Sequence, residues 1–186
     1  MAIDTLYLVR HGEAAASWGE SRDPGLSTLG HQQALDASLE LQDLLGEAKP
    51  TLLSSPLLRA QETATPLAEA LKLPVAIHDA FAEIPSPVPL AERQNWLRAF
   101  MRSTWSQSDE ALHAWRSRML EAVQALPANS VVFSHFLVIN TIVGHTQGAD
   151  KTLVCWPDNA AIVVLERSAG ALRVRSLGRQ METFVN

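Results

Sequence analysis

Two arginines, two histidines and a glutamate carry the chemistry open to this chain. Arg10-His11-Gly12 follows the apolar run Leu6-Tyr7-Leu8-Val9, and Arg59 follows Thr51-Leu52-Leu53-Ser54 within one short stretch. Ser134-His135 follows Val131-Val132-Phe133, and Glu83 lies beyond Val75-Ala76-Ile77-His78. Short unbroken apolar runs rich in strand formers read as strands buried on both faces. In open α/β sheets, ligands sit outside the carboxyl ends of the strands, so a parallel sheet gathers all of these groups at one edge. Guanidinium forks suit phosphate oxygens. A neutral imidazole nitrogen can attack phosphorus and form a phosphohistidine, while arginines and a second histidine stabilise charge on the equatorial oxygens. A carboxylic acid must then protonate the leaving oxygen. Glu83 is the candidate, with Glu13 and Asp79 as rivals. His11, Glu13 and His135 have metal-ligand chemistry, but two arginines beside them repel a cation, so neither metal nor other cofactor is expected.

The elements that must position these groups alternate between strand and helix. Ser27 or Thr28 caps a helix running to about Leu45, with Leu35, Leu39 and Leu41 or Leu45 as its apolar stripe. Ser55 reads as the N-cap and Pro56 as the first residue of the next helix, which ends at Leu71-Lys72-Leu73-Pro74. Arg59 then falls in that helix's first turn, where the macrodipole opposes a cation. An anion bound between them, or a carboxylate such as Glu62 or Glu13, resolves the conflict. Pro85, Pro87 and Pro89 form a rigid connector. Two helical stretches, about Leu90 to Thr104 and Asp109 to Leu126, follow it and carry Trp96, Phe100, Trp105 and Trp115. They read as a helical insertion over 84–128, a lid or side lobe with aromatics in its core. After His135 a helix begins at Phe136, and Ala160–Leu165 and Leu172–Leu177 flank Ser168-Ala169-Gly170 as a β-hairpin. The expected fold is a single α/β domain over 1–186: a three-layer α/β/α sandwich with a mainly parallel sheet, a helical insertion and a C-terminal β-hairpin.

Composition sets the boundaries. At 186 residues and 47% hydrophobic, the chain can build a substantial core. A net charge of −5 argues against nucleic-acid binding, so anion binding must come from local arginines. The single cysteine, Cys155, excludes an internal disulfide and a cysteine-cluster metal site, and it lacks a basic neighbour beyond Lys151. The first strand begins almost at Met1 and no apolar run is long enough to span a bilayer, so the expectation is a cytoplasmic protein without a membrane partner. His31, His78, His113 and His145 read as surface or structural histidines.

Leu8-Val9-Arg10-His11-Gly12-Glu13 resembles the signature of the histidine phosphatase superfamily, which includes phosphoglycerate mutases. Three further blocks match in order. Leu26 to Ala34 resembles the family's Leu-Thr-x-x-Gly-x-x-Gln-Ala helix start, Ser54 to Ala64 its second-arginine block, and Ser134-His135 its second-histidine block. The resemblance implies that His11 is the nucleophile, that Arg10, Arg59 and His135 hold phosphate, and that Glu83 is the proton donor. The chain also departs from the family's pattern. Phe136 stands where glycine commonly follows the second histidine, Ala14 and Ser17 where mutases commonly carry Ser or Thr and Asn, and Ile84-Pro85-Ser86-Pro87 where Gly-x-x-Glu-Gly is frequent.

The function read from the sequence is metal-independent hydrolysis of a small phosphate monoester, or related phosphorylated substrate, through phospho-His11. The substrate is a phosphorylated small molecule or a phosphoprotein, and the oligomeric state is left open. Two alternatives stand beside it: phosphoglycerate mutase-type phosphoryl transfer, which Ala14 and Ser17 disfavour, and a non-catalytic phosphate-binding regulatory module.

Overall fold

A computed structural model describes residues 3–16, 21 and 23–182. Ser17, one of the departures from the mutase pattern, lies outside them. Along the chain run β1 (Asp4–Arg10), α1 (Thr28–Leu45), β2 (Leu52–Ser54), α2 (Leu58–Leu71), β3 (Val75–Ile77), α3 (Arg93–Phe100), α4 (Glu110–Ala125), β4 (Val131–Ser134), α5 (Phe136–Thr146), β5 (Ile162–Ser168) and β6 (Ala171–Ser176). Short 3-10 turns at Asp79–Phe81, Leu90–Glu92 and Trp105–Gln107 join them. The strands form one six-stranded sheet in the order β3-β2-β4-β1-β5-β6. β3, β2, β4 and β1 are parallel, and β5 and β6 add an antiparallel hairpin at one edge. The hairpin turns at Ala169 and Gly170, both at positive φ, the conformation that a tight hairpin requires.

The sheet is covered on both faces, as the unbroken apolar strands demand. Tyr7 and Val9 of β1 point to one side, where Val131, Phe133, Ile162 and Val164 join Leu41 and Leu45 of α1 and Ala64 and Leu67 of α2. Leu6 and Leu8 point to the other, where Val132, Val163 and Leu165 meet Leu97 and Phe100 of α3, Trp115 and Met119 of α4, and Ile139 and Ile142 of α5. These are the three layers of the sandwich. The residues 84–128 expected as a helical insertion share this second core: Phe100, Trp105 and Trp115 are buried against the same apolar layer as β1 and β4.

Two local readings change. The buried face of α1 is Ala34, Ala37, Ser38, Leu41 and Leu45, whereas Leu35 and Leu39 are exposed. Leu39 and Leu41 stand about 200° apart around a helix, so one stripe cannot hold both. Small residues at the contact let α1 and α2 lie close. The second change concerns Ser55 and Pro56. Helix α2 starts only at Leu58, and its N-cap position is Leu57, with no side-chain cap of its own. A carboxylate from outside does that work, as Asp23 Oδ1 accepts the Leu58 N–H at 2.8 Å.

Candidate active site

Register delivers the site. Arg10 pairs with Ser134 across β1 and β4, and Ser54 with Phe133 across β2 and β4. The next residue of each strand, His11, Ser55 and His135, therefore emerges at one edge of three adjacent parallel strands. The His11 N–H donates to Ser134 O and the Ser55 N–H to Phe133 O, both at 2.9 Å, extending the ladder to the site itself. The imidazoles of His11 and His135 stand edge to face, 5.3 Å between centroids. The chain turns away at Gly12, where an added Cβ would come within 2.5 Å of Gly30 O at the start of α1.

The partners of His11 fix its proton. Nδ1 lies 2.6 Å from the carbonyl oxygen of Gly12, which can only accept. Nε2 receives the Arg59 Nε–H at 3.2 Å, a group that can only donate. The ring is thus the neutral Nδ1–H tautomer, with its Nε2 lone pair turned toward Arg59. Burial and the Arg59 guanidinium push the His11 pKa down to about 3, so protonation does not compete for that lone pair near neutrality. His135 is fully buried, and its Nε2 shares a 2.7 Å hydrogen bond with Ser55 Oγ. Burial, then the neighbouring His11 and arginines, holds its pKa well below the usual imidazole value.

Arg59 sits in the first turn of α2, as its spacing predicts. Its carboxylate neighbours are Asp23 and Glu83, each at 3.9 Å. Glu62 and Glu13 are occupied elsewhere: Glu62 accepts the Leu26 N–H at 2.6 Å, and Glu13 accepts the Ser27 hydroxyl at 2.7 Å. Glu13 thereby braces the residue that caps α1. Asp79 opens the 3-10 turn after β3. Of the three carboxylates, Glu83 is the one beside Arg59 and His135, with its Oε2 3.7 Å from His135 Nδ1 and its side chain 6% exposed. Burial raises its pKa against the opposing pull of Arg59.

The backbone around Glu83 is held on both sides. Ser134 Oγ donates to Phe81 O at 2.7 Å, Trp115 Nε1 to Ala82 O at 3.4 Å, and Arg93 Nη2 to Ile84 O at 3.4 Å. Strand β4, helix α4 and helix α3 each contribute one of these bonds. Arg93 and Trp115 were not identified as site residues from the sequence. Trp115 reads there as core, which it also is, and nothing in the pattern marks its indole N–H.

Arg10 reaches the same edge. Its Nη1 donates to Pro157 O at 2.9 Å and faces Met181 Sδ at 3.6 Å, and its guanidinium lies 5.2 Å from the centre of the Phe136 ring. Phe136, the departure after His135, is thus the platform under Arg10. Burial lowers the Arg10 pKa to about 10, which leaves it charged. Among the described residues, Arg10 Nε and His135 Nδ1 are buried nitrogens at this edge without a hydrogen-bond partner. Arg10 Nε can only donate, and a buried donor without a partner marks a place for an acceptor-rich ligand. A cavity of about 250 Å³ opens at Arg10 and His11, lined further by Glu13, Ala14, Ala16, Gln94 and Asn159. Among the described residues, no group of three or more His, Cys, Asp or Glu side chains is arranged to hold a metal ion.

Comparison with known proteins decides the family. Residues 6–180 match the family described as histidine phosphatase superfamily (branch 1). The chain belongs to the histidine phosphatase superfamily. A 2,3-bisphosphoglycerate-dependent phosphoglycerate mutase from Chelativorans sp. (strain BNC1) is 34% identical over 124 residues, 60% of this chain and 54% of the mutase. The chain therefore aligns with about half the length of that relative. Among solved structures, phosphoserine phosphatase from Entamoeba histolytica in complex with 3-phosphoglyceric acid superposes with a TM-score of 0.72 at 19% identity, covering 95% of this chain and 97% of the other. A mycobacterial glucosyl-3-phosphoglycerate phosphatase gives 0.69 at 19% identity, covering 93% and 98%. At that identity the likeness is one of fold, and it agrees with the sandwich read from the strands.

The remaining histidines of this family member lie elsewhere. His31 is exposed near the start of α1, His78 caps the 3-10 turn after β3, His113 packs near Trp105, and His145 is in the last turn of α5. Cys155 is buried, which pushes its thiol up to about 12. No helix among the described residues is long and apolar enough to cross a membrane.

Proposed function

We propose that this superfamily member is a metal-independent phosphatase that hydrolyses a small phosphate monoester through a phosphohistidine at His11. The observation that carries the reading is the fixed tautomer: the partners of His11 leave Nε2 a free base, and Arg59 marks where an anion sits. An arriving phosphoryl group takes up the Arg59 donors together with Arg10 Nε and His135, and this releases the Nε2 lone pair. Nε2 attacks phosphorus as the bond to the ester oxygen breaks. Glu83, whose pKa burial raises, acts as the acid that gives a proton to that oxygen, and the alcohol departs. Water then attacks the phosphohistidine, the Glu83 carboxylate takes one of its protons, and phosphate leaves with His11 neutral again.

The mutase reading rests on the Chelativorans relative. Against it, Ala14 lines the cavity with a methyl where a hydroxyl would hold phosphate. A regulatory phosphate-binding module would not require a buried acid beside Arg59 and His135. The test is a panel of phosphometabolites and phosphopeptides, phosphohistidine included, with inorganic phosphate measured directly. Release of phosphate from at least one monoester is expected. Isomerised product without phosphate release would establish the mutase instead, and ligand binding without turnover across the panel would establish the module.

A further inference from the structure

After β6 the chain does not leave the fold. Gly178 turns it at φ +63°, where an added Cβ would run into the carbonyl oxygen of Ile162. Residues 177–181 then lie along 156–158. The Asp158 N–H donates to Arg179 O at 3.0 Å and the Met181 N–H to Trp156 O at 2.7 Å. The Trp156 N–H donates to Gln180 Oε1 at 2.8 Å, and Pro157 and Gln180 form an antiparallel bridge. This pairing puts Met181 Sδ and Pro157 O together against one nitrogen of Arg10, Nη1.

An Nη nitrogen of arginine carries two hydrogens. At Arg10 this nitrogen has two acceptors, supplied by these two segments: a carbonyl at 2.9 Å and a thioether at 3.6 Å. The fork that remains is Nε with Nη2, and among the described residues Nε is buried without a partner. Arg10 Cζ lies over the Phe136 ring, 5.2 Å from its centre, with Trp156 packed beside that ring at 5.7 Å. A guanidinium held on one edge and stacked on one face presents its other edge without further ordering. Immobilising such a side chain at the moment of binding would otherwise cost affinity.

We propose that residues 177–181 form a strap that aims Arg10, with Met181 as a positioning residue for phosphate binding; this rests on the reading of Arg10 as a phosphate ligand. Met181 touches no substrate. It acts by occupying the edge of Arg10 that must not face the ligand.

The test compares wild type, Met181→Ala, Met181→Gln, Gly178→Val and Arg10→Ala. Calorimetry gives the Kd for inorganic phosphate, steady-state kinetics gives kcat and KM, and hydrogen exchange follows the Asp158 and Met181 amides. Met181→Ala should raise Kd and KM together, about three- to ten-fold, and lower kcat less than about two-fold. Met181→Gln keeps the length and supplies an oxygen acceptor, so it should return both constants to near wild type. Gly178→Val should free the two amides and weaken phosphate binding at least as much as Met181→Ala. Unchanged phosphate affinity in Met181→Ala, or equal losses in the Ala and Gln variants, would overturn the strap. Unchanged affinity in Arg10→Ala would overturn the reading of Arg10 itself, a separate failure.

Discussion

His11 is held between one group that can only accept and one that can only donate, and its protonation follows from both. An unfolded imidazole titrates near 6.5, whereas burial and Arg59 hold the folded one at about 3. Between those values the unfolded chain binds a proton that the fold refuses, so His11 makes stability fall as pH drops below about 6.5. His135 acts in the same direction. Glu83 acts oppositely: its pKa is raised in the fold, so its contribution is present at low pH and lost as pH rises through the folded value. Between about pH 6.5 and pH 5, His11→Asn should lose less stability than wild type, by about 2 kcal/mol. Urea unfolding at the two pH values measures this, and equal losses would mean that His11 titrates normally. The proton of Glu83 is tested through the leaving group. Glu83→Gln should slow alkyl phosphates strongly and activated aryl phosphates such as p-nitrophenyl phosphate much less. Glu13→Gln should show no such dependence, because Glu13 is spent on Ser27.

At the scale of elements, a strand end supplies a residue and a helix holds it in place. The parallel strands were legible as apolar runs, and their order along the sheet follows once β1, β2 and β4 must be neighbours. The boundary of α2 was not legible, because its cap comes from Asp23, thirty-five residues away in sequence. Ser55 has the look of that cap, and its hydroxyl does accept the N–H of Leu57, one residue before the helix, at 3.2 Å, but the same oxygen is shared with His135. Short-range rules see a serine before a proline; they do not see an imidazole eighty residues on. The helices after the proline connector read in the sequence as an insertion around an aromatic core, and nothing in that pattern marks the part they play at the site. Trp115 and Arg93 brace the chain on either side of Glu83. Trp115→Phe keeps an aromatic ring but removes the N–H and part of the buried indole. It should cost about 1–3 kcal/mol of stability, from the lost hydrogen bond and the space left behind, and lower kcat on alkyl phosphates more than on aryl phosphates. A uniform loss across leaving groups would make Trp115 a packing residue only.

For the whole molecule, the sandwich places small groups at one sheet edge and buries them from both sides. Arg10 ends a strand, His11 and His135 stand directly after one and Arg59 lies in the first turn of a helix, which makes these four legible in the sequence; Glu83, beyond the 3-10 turn after β3, carries no such mark. What escaped the sequence is what comes from far along the chain: Phe136 as the floor of Arg10, and Met181 at its edge. Because arginines rather than a cation are proposed to hold the phosphoryl group, EDTA should leave the rate of phosphate release unchanged. Loss of that rate with recovery on added zinc or magnesium would refute the metal-independent reading. Vanadate should compete with substrate, since its five-coordinate adducts mimic phosphoryl transfer. The most direct test is to mix enzyme with a phosphorus-labelled substrate from the panel, quench in alkali, where phosphohistidine survives, and map the labelled peptide. The label should sit on His11 and vanish in His11→Ala, with the variant still folded; label on Cys155 or on a serine would contradict the mechanism.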